Sequence, residues 1–269
     1  MNFANIITLT TDFGLQDPYV GQMKGAILKR NITARIIDLT HGISPHDVLG
    51  AAVAIRTSYR YFPKGTIHLI VVDPGVGSQR GILAATGESQ LFIAPDNGLL
   101  TLLALDNSIE AVHRVENSSL FPSEVSSTFH GRDIMAPVAA ALAGGLPLDK
   151  VGPETTFTQC IQLDIPEPVI DKKRITGQVM HVDHFGNIRT TINTSHLSRF
   201  QPSHFAGIRI GSHTIDSILS TYSEQPAGEL IALIDSSGYL EIAENRGNAA
   251  RLTGCSPGDE VVVLLKDEE

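Results

Sequence analysis

The stretch VVDPGVGSQR, Val71–Arg80, ends a β-branched run on a carboxylate and sets a guanidinium a few residues later, across Pro74, Gly75 and Gly77. Three more carboxylates, Asp12 in TTDFG, Asp38 in IIDLT and Asp96 in APDNG, also close strand-like runs. In an open α/β sheet, ligands bind outside the carboxyl ends of the strands, so residues far apart in sequence converge there. Asp after a strand is equally good turn chemistry, and that plainer reading weighs as much for any one of the four. Asp12 and Asp73 stand out, because each follows an apolar run directly and precedes glycine. His130 in FHGRDIMAP precedes a helix-like run rather than lying on an apolar face. An isolated histidine is more often structural, but beside an Asp and an Arg it can orient a water or take its proton. Arg132 and Asp133 read as helix-start residues that cap or pair locally.

Other motifs carry less. GVGSQRG is followed by the strand-like ILAAT, whereas a dinucleotide fingerprint needs a helix there, and no phosphate-loop pattern occurs. In HVDH, strand alternation sends His181 and Asp183 to one face and His184 to the other, so no metal site is expected. In HFGN, Phe185 offers a ring to stack on a flat ligand. The Asn187 amide offers a donor and an acceptor suited to an adenine edge. Gly186 and Asn187 also read as a hairpin turn, and recognition residues often ride on turns.

The elements that must hold these residues change character along the chain. The first part alternates strand-like and helix-like runs. DPYVGQMKGAILKRN reads as a helix with Asp17 as cap and Pro18 in its first turn. SPHDVLGAAVAIRTSYRYF reads as one capped by Ser44, with Pro45 first and Asp47 in the first turn. GRDIMAPVAAALAGG is a helix stopped at Gly144 and Gly145. The expected fold is an α/β N-terminal domain, 1–165, with a mostly parallel sheet and helices on both faces. A linker at 166–173, marked by Pro166, Pro168 and DKKR, leads to a smaller all-β, barrel-like C-terminal domain at 174–269.

The totals narrow the function classes. Of 269 residues 42% are hydrophobic, enough for a real core, and the net charge is −9. No basic stripe is visible, so no nucleic-acid partner is expected. Cys160 and Cys255 are isolated and read as small buried hydrophobes. The start MNFANIITLT lacks signal-peptide features and the apolar runs are strand-length. The expectation is therefore a cytoplasmic protein with no membrane partner.

Taken in order, TTDFG, VVDPGVGSQR, APDNGLL, FHGRDIMAP, DHFGNIRTTI and GYLEIAEN resemble the S-adenosyl-L-methionine (SAM) hydrolases, or SAM hydroxide adenosyltransferases, over nearly the whole chain. These are relatives of the SAM-dependent fluorinase and chlorinase. The resemblance implies an enzyme in which water or hydroxide attacks the ribose C5′ of SAM, giving adenosine and methionine. It implies a homotrimer with active sites at subunit interfaces, and no cofactor, SAM being the substrate. By the same resemblance Asp73, Arg80 and His130 surround the water, Asp12 holds the ribose hydroxyls and Asp17 lies near the methionine amino group. Asp183, Phe185 and Asn187 form the C-terminal substrate motif, and Ser236 and Glu241 complete the methionine and adenine ends. The halogenases carry tyrosine where Asp73 stands and serine where Gly131 stands, which favours hydrolysis here. Two alternatives stand beside this: a non-catalytic SAM- or adenosine-binding module, and a metal-dependent hydrolase using Asp12, Asp73, Asp96 and His130.

Overall fold

The computed structural model describes residues 4–201 and 204–266. The chain divides into two compact units, 1–163 and 164–269.

The first unit is built on strands β1 (Ile6–Thr11), β2 (Arg35–Thr40), β3 (Ile67–Val71), β4 (Ile82–Gly87), β5 (Gln90–Pro95), β6 (Ala111–Arg114) and β7 (Glu154–Thr155). Among the described residues they form one sheet in the order β2-β1-β3-β5-β4-β6-β7. The half containing β2, β1, β3 and β5 is parallel, while β4, β6 and β7 are joined antiparallel. The sheet is thus mixed rather than mostly parallel. The reason is local: only a two-residue turn, Glu88 and Ser89, both at positive φ, separates β4 from β5, and such a turn can only make a hairpin.

Helices cover both faces, as expected. On one face α1 (Tyr19–Arg30) and α4 (Ala136–Ala143) bury Met23, Ile27, Val138 and Leu142 against Ile7, Leu9, Leu69 and Val71. On the other, α2 (Val48–Ser58) and α3 (Thr101–Leu105) bury Ala51, Ile55 and Leu103 against Ile70 and Val72. The continuous apolar run of β3 is explained by this double covering.

Both helix starts differ from expectation. Asp17 does not cap α1; Pro18 holds the cap position with no side-chain bond. Asp47, not Ser44, caps α2, its Oδ1 accepting the Gly50 N–H at 2.7 Å. His46 sits at φ 68°, which breaks helical geometry before Asp47 and prevents a start at Pro45. Asp38 lies inside β2 rather than at its end.

Among its described residues the second unit is built of strands, with short helices at Thr194–Leu197 and Ala249–Thr253 and a 3-10 turn at Tyr222–Glu224. Its strands are β8 (Val169–Ile170), β9 (Arg174–Val182), β10 (Ile188–Asn193), β11 (Phe205–Ile210), β12 (His213–Ile215), β13 (Ile218–Leu219), β14 (Leu230–Ile234), β15 (Tyr239–Glu244) and β16 (Glu260–Leu265). The sheet runs β12-β11-β16-β9-β10-β15-β14-β13, with β8 added to β9. Its two ends curl together until β12 meets β14, which gives a nearly closed barrel around Ile188, Ile208, Leu240 and Val263. The segment expected as a linker contributes β8 to this sheet. Cys160 and Cys255 are free and buried.

Two hairpins of this unit share one turn. In DHFGN and DSSGY the Asp Oδ1 accepts the N–H two and four residues on, at 2.9 and 2.8 Å for Asp183 and at 2.7 and 3.0 Å for Asp235. The third residue on is a glycine at positive φ, Gly186 at 88° and Gly238 at 82°. Gly186 is also forced by space: a Cβ there would sit 2.1 Å from Asn248.

Candidate active site

The carboxyl ends of β1 and β3 open into a cleft of about 280 Å³ in the first unit, lined by Asp12, Asp73 and His130 among others. β3 stops at Val71, and Val72 and Asp73 continue past the sheet edge. The Asn97 amide donates to the Val72 carbonyl at 2.9 Å and so ties the β5 end of APDNG to the β3 end. Beyond Asp73 the chain turns through Val76 N–H to Asp73 C=O at 3.2 Å and Ser78 N–H to Gly75 C=O at 3.1 Å. Gly77, at φ 79°, passes so near the Ser127 carbonyl that a Cβ would stand 2.3 Å from it. That close passage brings Arg80 back beside Asp73 and next to the loop that carries His130.

Arg80 Nε donates to both Asp73 oxygens, at 2.9 and 3.0 Å, and Nη2 closes the fork on Oδ2. The two side chains expose only 5% and 7%, so each charge depends on the other for the hydration it has lost. Arg80 Nη2 also lies 2.9 Å from His130 Nδ1. A guanidinium has donors only, so Nδ1 is the acceptor and the neutral imidazole carries its proton on Nε2. Burial, and then the Arg80 charge, hold the His130 pKa below the ordinary value, against a smaller upward pull from Asp73 and Asp133. His130 is therefore a neutral Nε2–H donor.

His130 leads into a π turn, Gly131–Met135, continuous with α4. Gly131 lets this turn lie on the β3 end, since a Cβ there would be 2.9 Å from Val71 Cγ1. Arg132 and Asp133 pair with each other at 2.6 Å, as expected, and Arg132 lies over the Phe129 ring at 4.9 Å. Phe129 packs edge-on against Phe13 and Tyr19, at 5.6 and 5.5 Å between ring centres, and all three rings line the cleft. Asp12 Oδ2 accepts the His46 N–H at 2.9 Å.

Of the other expected residues, Asp17 is exposed in the turn before α1 and is not among the residues that line the cleft. Asp96 turns away as well: it accepts the Ile161 N–H at 2.8 Å and pairs with Arg114 at 3.4 Å. The four ligands of a metal-dependent hydrolase are therefore not brought together. Among the described residues no three His, Cys, Asp or Glu side chains converge.

In the second unit, Asp183 pins its hairpin and also accepts an Asn187 amide hydrogen at 3.1 Å. β9 ends at Val182, so Asp183 and His184 belong to the turn, and strand alternation does not sort them onto faces. Phe185 stands 71% exposed at the tip. Ser236 is exposed in the matching turn, where Asp235 Oδ2 pairs with Arg189 Nε at 2.5 Å. Glu241, 7% exposed, pairs in register with Arg189 and accepts the Tyr222 hydroxyl at 2.7 Å. Burial raises the Glu241 pKa above the usual carboxylate range. Asp235 and Asp183 push the same way, while the Tyr222 bond and Arg189 pull against it.

The chain matches the model of the SAM hydroxide adenosyltransferase N-terminal domain over residues 7–152 and that of the C-terminal domain over 177–262. An (R)-S-adenosyl-L-methionine hydrolase from Salinispora tropica is 37% identical over 258 residues, covering 96% of this chain and 97% of that protein. This chain belongs to the SAM hydroxide adenosyltransferase family. A crystal structure of an uncharacterized conserved protein from Thermotoga maritima superimposes with a TM-score of 0.87 at 37% identity, covering 96% of this chain and 99% of that one. A fluorinase from Nocardia brasiliensis is more distant, 29% identical over 97% of each chain. The adenosyltransferase match spans both units, so the cleft and the barrel hairpins fall within it.

Several cleft residues were not singled out from the sequence. Phe13, Tyr19 and Phe129 meet only in three dimensions. His46 lies between Pro45 and a capping Asp47, where no periodicity marks it. The repeated Asp-x-x-Gly-x of the two hairpins was the signal for the shared turn.

Proposed function

We infer that the protein is an enzyme that hydrolyses SAM to adenosine and methionine by attack of water at the ribose C5′. The observation that carries this is the buried Asp73–Arg80 pair bonded to His130, with Asp73 and His130 lining the cleft, in a chain whose relatives are named hydrolases of (R)-SAM.

Asp73 accepts a hydrogen bond from the attacking water, and His130 Nε2–H fixes the water's orientation. As the O–C5′ bond forms, the C5′–S bond breaks and its electron pair passes to sulfur. Methionine leaves as a neutral thioether and needs no acid. The water's proton passes to the Asp73 carboxylate and then to solvent. The barrier falls chiefly by alignment, which is worth up to roughly 7–11 kcal/mol in the best cases. No metal or cofactor enters this scheme. A carboxylate at 73 repels a halide but not water, and Gly131 offers an anion no hydroxyl.

Asp12 holds the ribose hydroxyls, to which an acceptor-only group is suited. Asp17, exposed in the turn before α1 and outside the cleft lining, takes the methionine amino group where it emerges from the cleft. Asp183, Phe185, Asn187, Ser236 and Glu241 hold the rest of the substrate from the second unit of a neighbouring copy in a homotrimer.

The test is chromatography of the purified protein incubated with each sulfonium epimer of SAM, with and without chloride. Adenosine and methionine in equal amounts from the (R) epimer, unaffected by chloride, is the expected result. A chlorinated nucleoside, intact SAM, loss of turnover in EDTA, or full activity in both Asp73→Asn and His130→Ala would overturn the scheme.

A further inference from the structure

Asp38 fits the sequence pattern of a cleft carboxylate, yet it is not among the residues lining the cleft; its side chain is built into a chain of contacts that leads there. Lys24 of α1 donates to Asp38 Oδ2 at 2.6 Å. Asp38 Oδ1 lies 3.1 Å from His41 Nε2 but off the N–H axis, so the contact is an electrostatic one rather than a straight hydrogen bond. His41 Nδ1 meets the Thr11 hydroxyl at 2.8 Å. Thr11 Oγ1 lies 3.3 Å from the Phe13 N–H, and the His41 carbonyl accepts the Gly14 N–H at 2.9 Å.

These contacts have one direction. The Asp38 carboxylate favours the His41 proton on Nε2, which leaves Nδ1 as acceptor. The Thr11 hydroxyl must then donate to Nδ1, and its oxygen is left to accept from Phe13. The arrangement has the order of an Asp-His-hydroxyl triad, but Thr11 is 0% exposed, so its oxygen cannot reach a substrate. What it can reach is the backbone of the loop Asp12–Gly14, where Asp12 and Phe13 both line the cleft. Burial pushes the Asp38 pKa up, but Lys24 and His41 outweigh it and hold it below the usual range, so Asp38 stays ionised.

We propose that His41 is a positioning residue for the hydrolase reaction: through Thr11 it fixes the Asp12–Gly14 loop, and so the carboxylate and ring that receive the nucleoside. This rests on the functional reading above. It places His41 in substrate binding rather than in bond breaking, so the loss falls on KM and on product affinity and leaves kcat nearly alone.

The experiment uses the full chain and two readouts, SAM kinetics and adenosine binding by calorimetry, with folding followed by circular dichroism. Thr11→Val keeps the shape of the side chain and removes only the hydroxyl. It raises KM and the adenosine Kd about tenfold, the equivalent of one hydrogen bond of about 1.4 kcal/mol, with kcat within about twofold. His41→Ala does the same, His41→Asn recovers most of the loss because its amide restores an acceptor near Nδ1, and Thr11→Ser is close to wild type. The double variant His41→Ala/Thr11→Val is no worse than either single. Unchanged KM in folded Thr11→Val, additive losses in the double variant, or a fall in kcat alone would overturn the proposal while leaving the hydrolase reading intact. A wild-type protein that neither turns over SAM nor binds adenosine would overturn both.

Discussion

Arg80→Met is the most informative single perturbation, because one guanidinium serves both Asp73 and His130. It removes the fork on Asp73 and leaves a carboxylate only 5% exposed without its counter-charge. Breaking a buried pair from one side costs about 3–5 kcal/mol, since the remaining charge has neither water nor partner. At about 2–4 °C per kcal/mol for a domain of this size, the melting temperature of the first unit falls by about 6–20 °C. Adding Asp73→Asn removes the stranded charge. The double variant Asp73→Asn/Arg80→Met then recovers at least about 2 kcal/mol relative to Arg80→Met, a coupling typical of residues in one network. Stability returns but turnover does not, because the carboxylate that receives the water's proton is gone. Arg80→Met also changes the pH profile. In the wild type, burial and the Arg80 charge keep His130 neutral to below its ordinary 6.5, so the acidic limb of kcat/KM lies below pH 6.5. Without Arg80, the unpaired Asp73 favours the imidazolium, and the limb moves to higher pH. Thermal unfolding of the three variants, with kcat/KM measured across pH, tests each step. The reasoning is refuted if Arg80→Met unfolds within about 1 kcal/mol of wild type, if the double variant is no more stable than the single, or if the limb stays where it was.

Three further outcomes follow from the packing. Gly131→Ser places a Cβ 2.9 Å from Val71 Cγ1 and destabilises by about 1–3 kcal/mol, and Val71→Ala in the same chain relieves part of it, as denaturant unfolding will show. His68 is wholly buried between Thr8 and Gln90, bonded to them at 2.8 and 2.7 Å, and desolvation pushes its pKa down to about 4, against a smaller upward pull from the Gln90 bond. The unfolded chain takes up that proton near 6.5 and the folded one does not. Stability is therefore full above about pH 6.5 and is lost as pH falls toward 4. The loss is on the order of 3 kcal/mol, and is absent in a folded His68→Gln variant measured by urea unfolding at pH 7 and pH 4.5. Gly186→Ala forces a Cβ into Asn248 at φ 88° and costs at least about 1 kcal/mol, seen as faster hydrogen exchange in the DHFGN hairpin than elsewhere in the barrel.

Much of this architecture is written locally. The apolar run of β3 and the Asp-Pro-Gly after it place Asp73 at a strand end, because β-branched residues favour the extended chain and Pro and Gly stop it. ILAAT is a strand and not the helix of a dinucleotide site. The hairpins of the second unit follow from alternation broken by Asp and Gly. The ordered motifs identified the family, and with it the reaction, because a family match uses the whole chain at once. The tertiary structure decided the rest. Whether Asp38 and Asp96 belong to a site depended on which neighbours reached them: His41 is only three residues from Asp38, but Lys24 in the one case and Arg114 and Ile161 in the other come from distant parts of the chain, and no local pattern encodes them. The β4–β5 hairpin that makes the sheet mixed is local, but the addition of β6 and β7 beyond β4 depended on partners distant in sequence. The helix start at Asp47 depended on the unusual backbone of His46, fixed in turn by Asp12 in the turn after β1. The proton position on His130 is likewise not a property of FHGRD. It follows from Arg80 arriving from fifty residues away with donors only, because the state of a titratable group is set by what surrounds it in space.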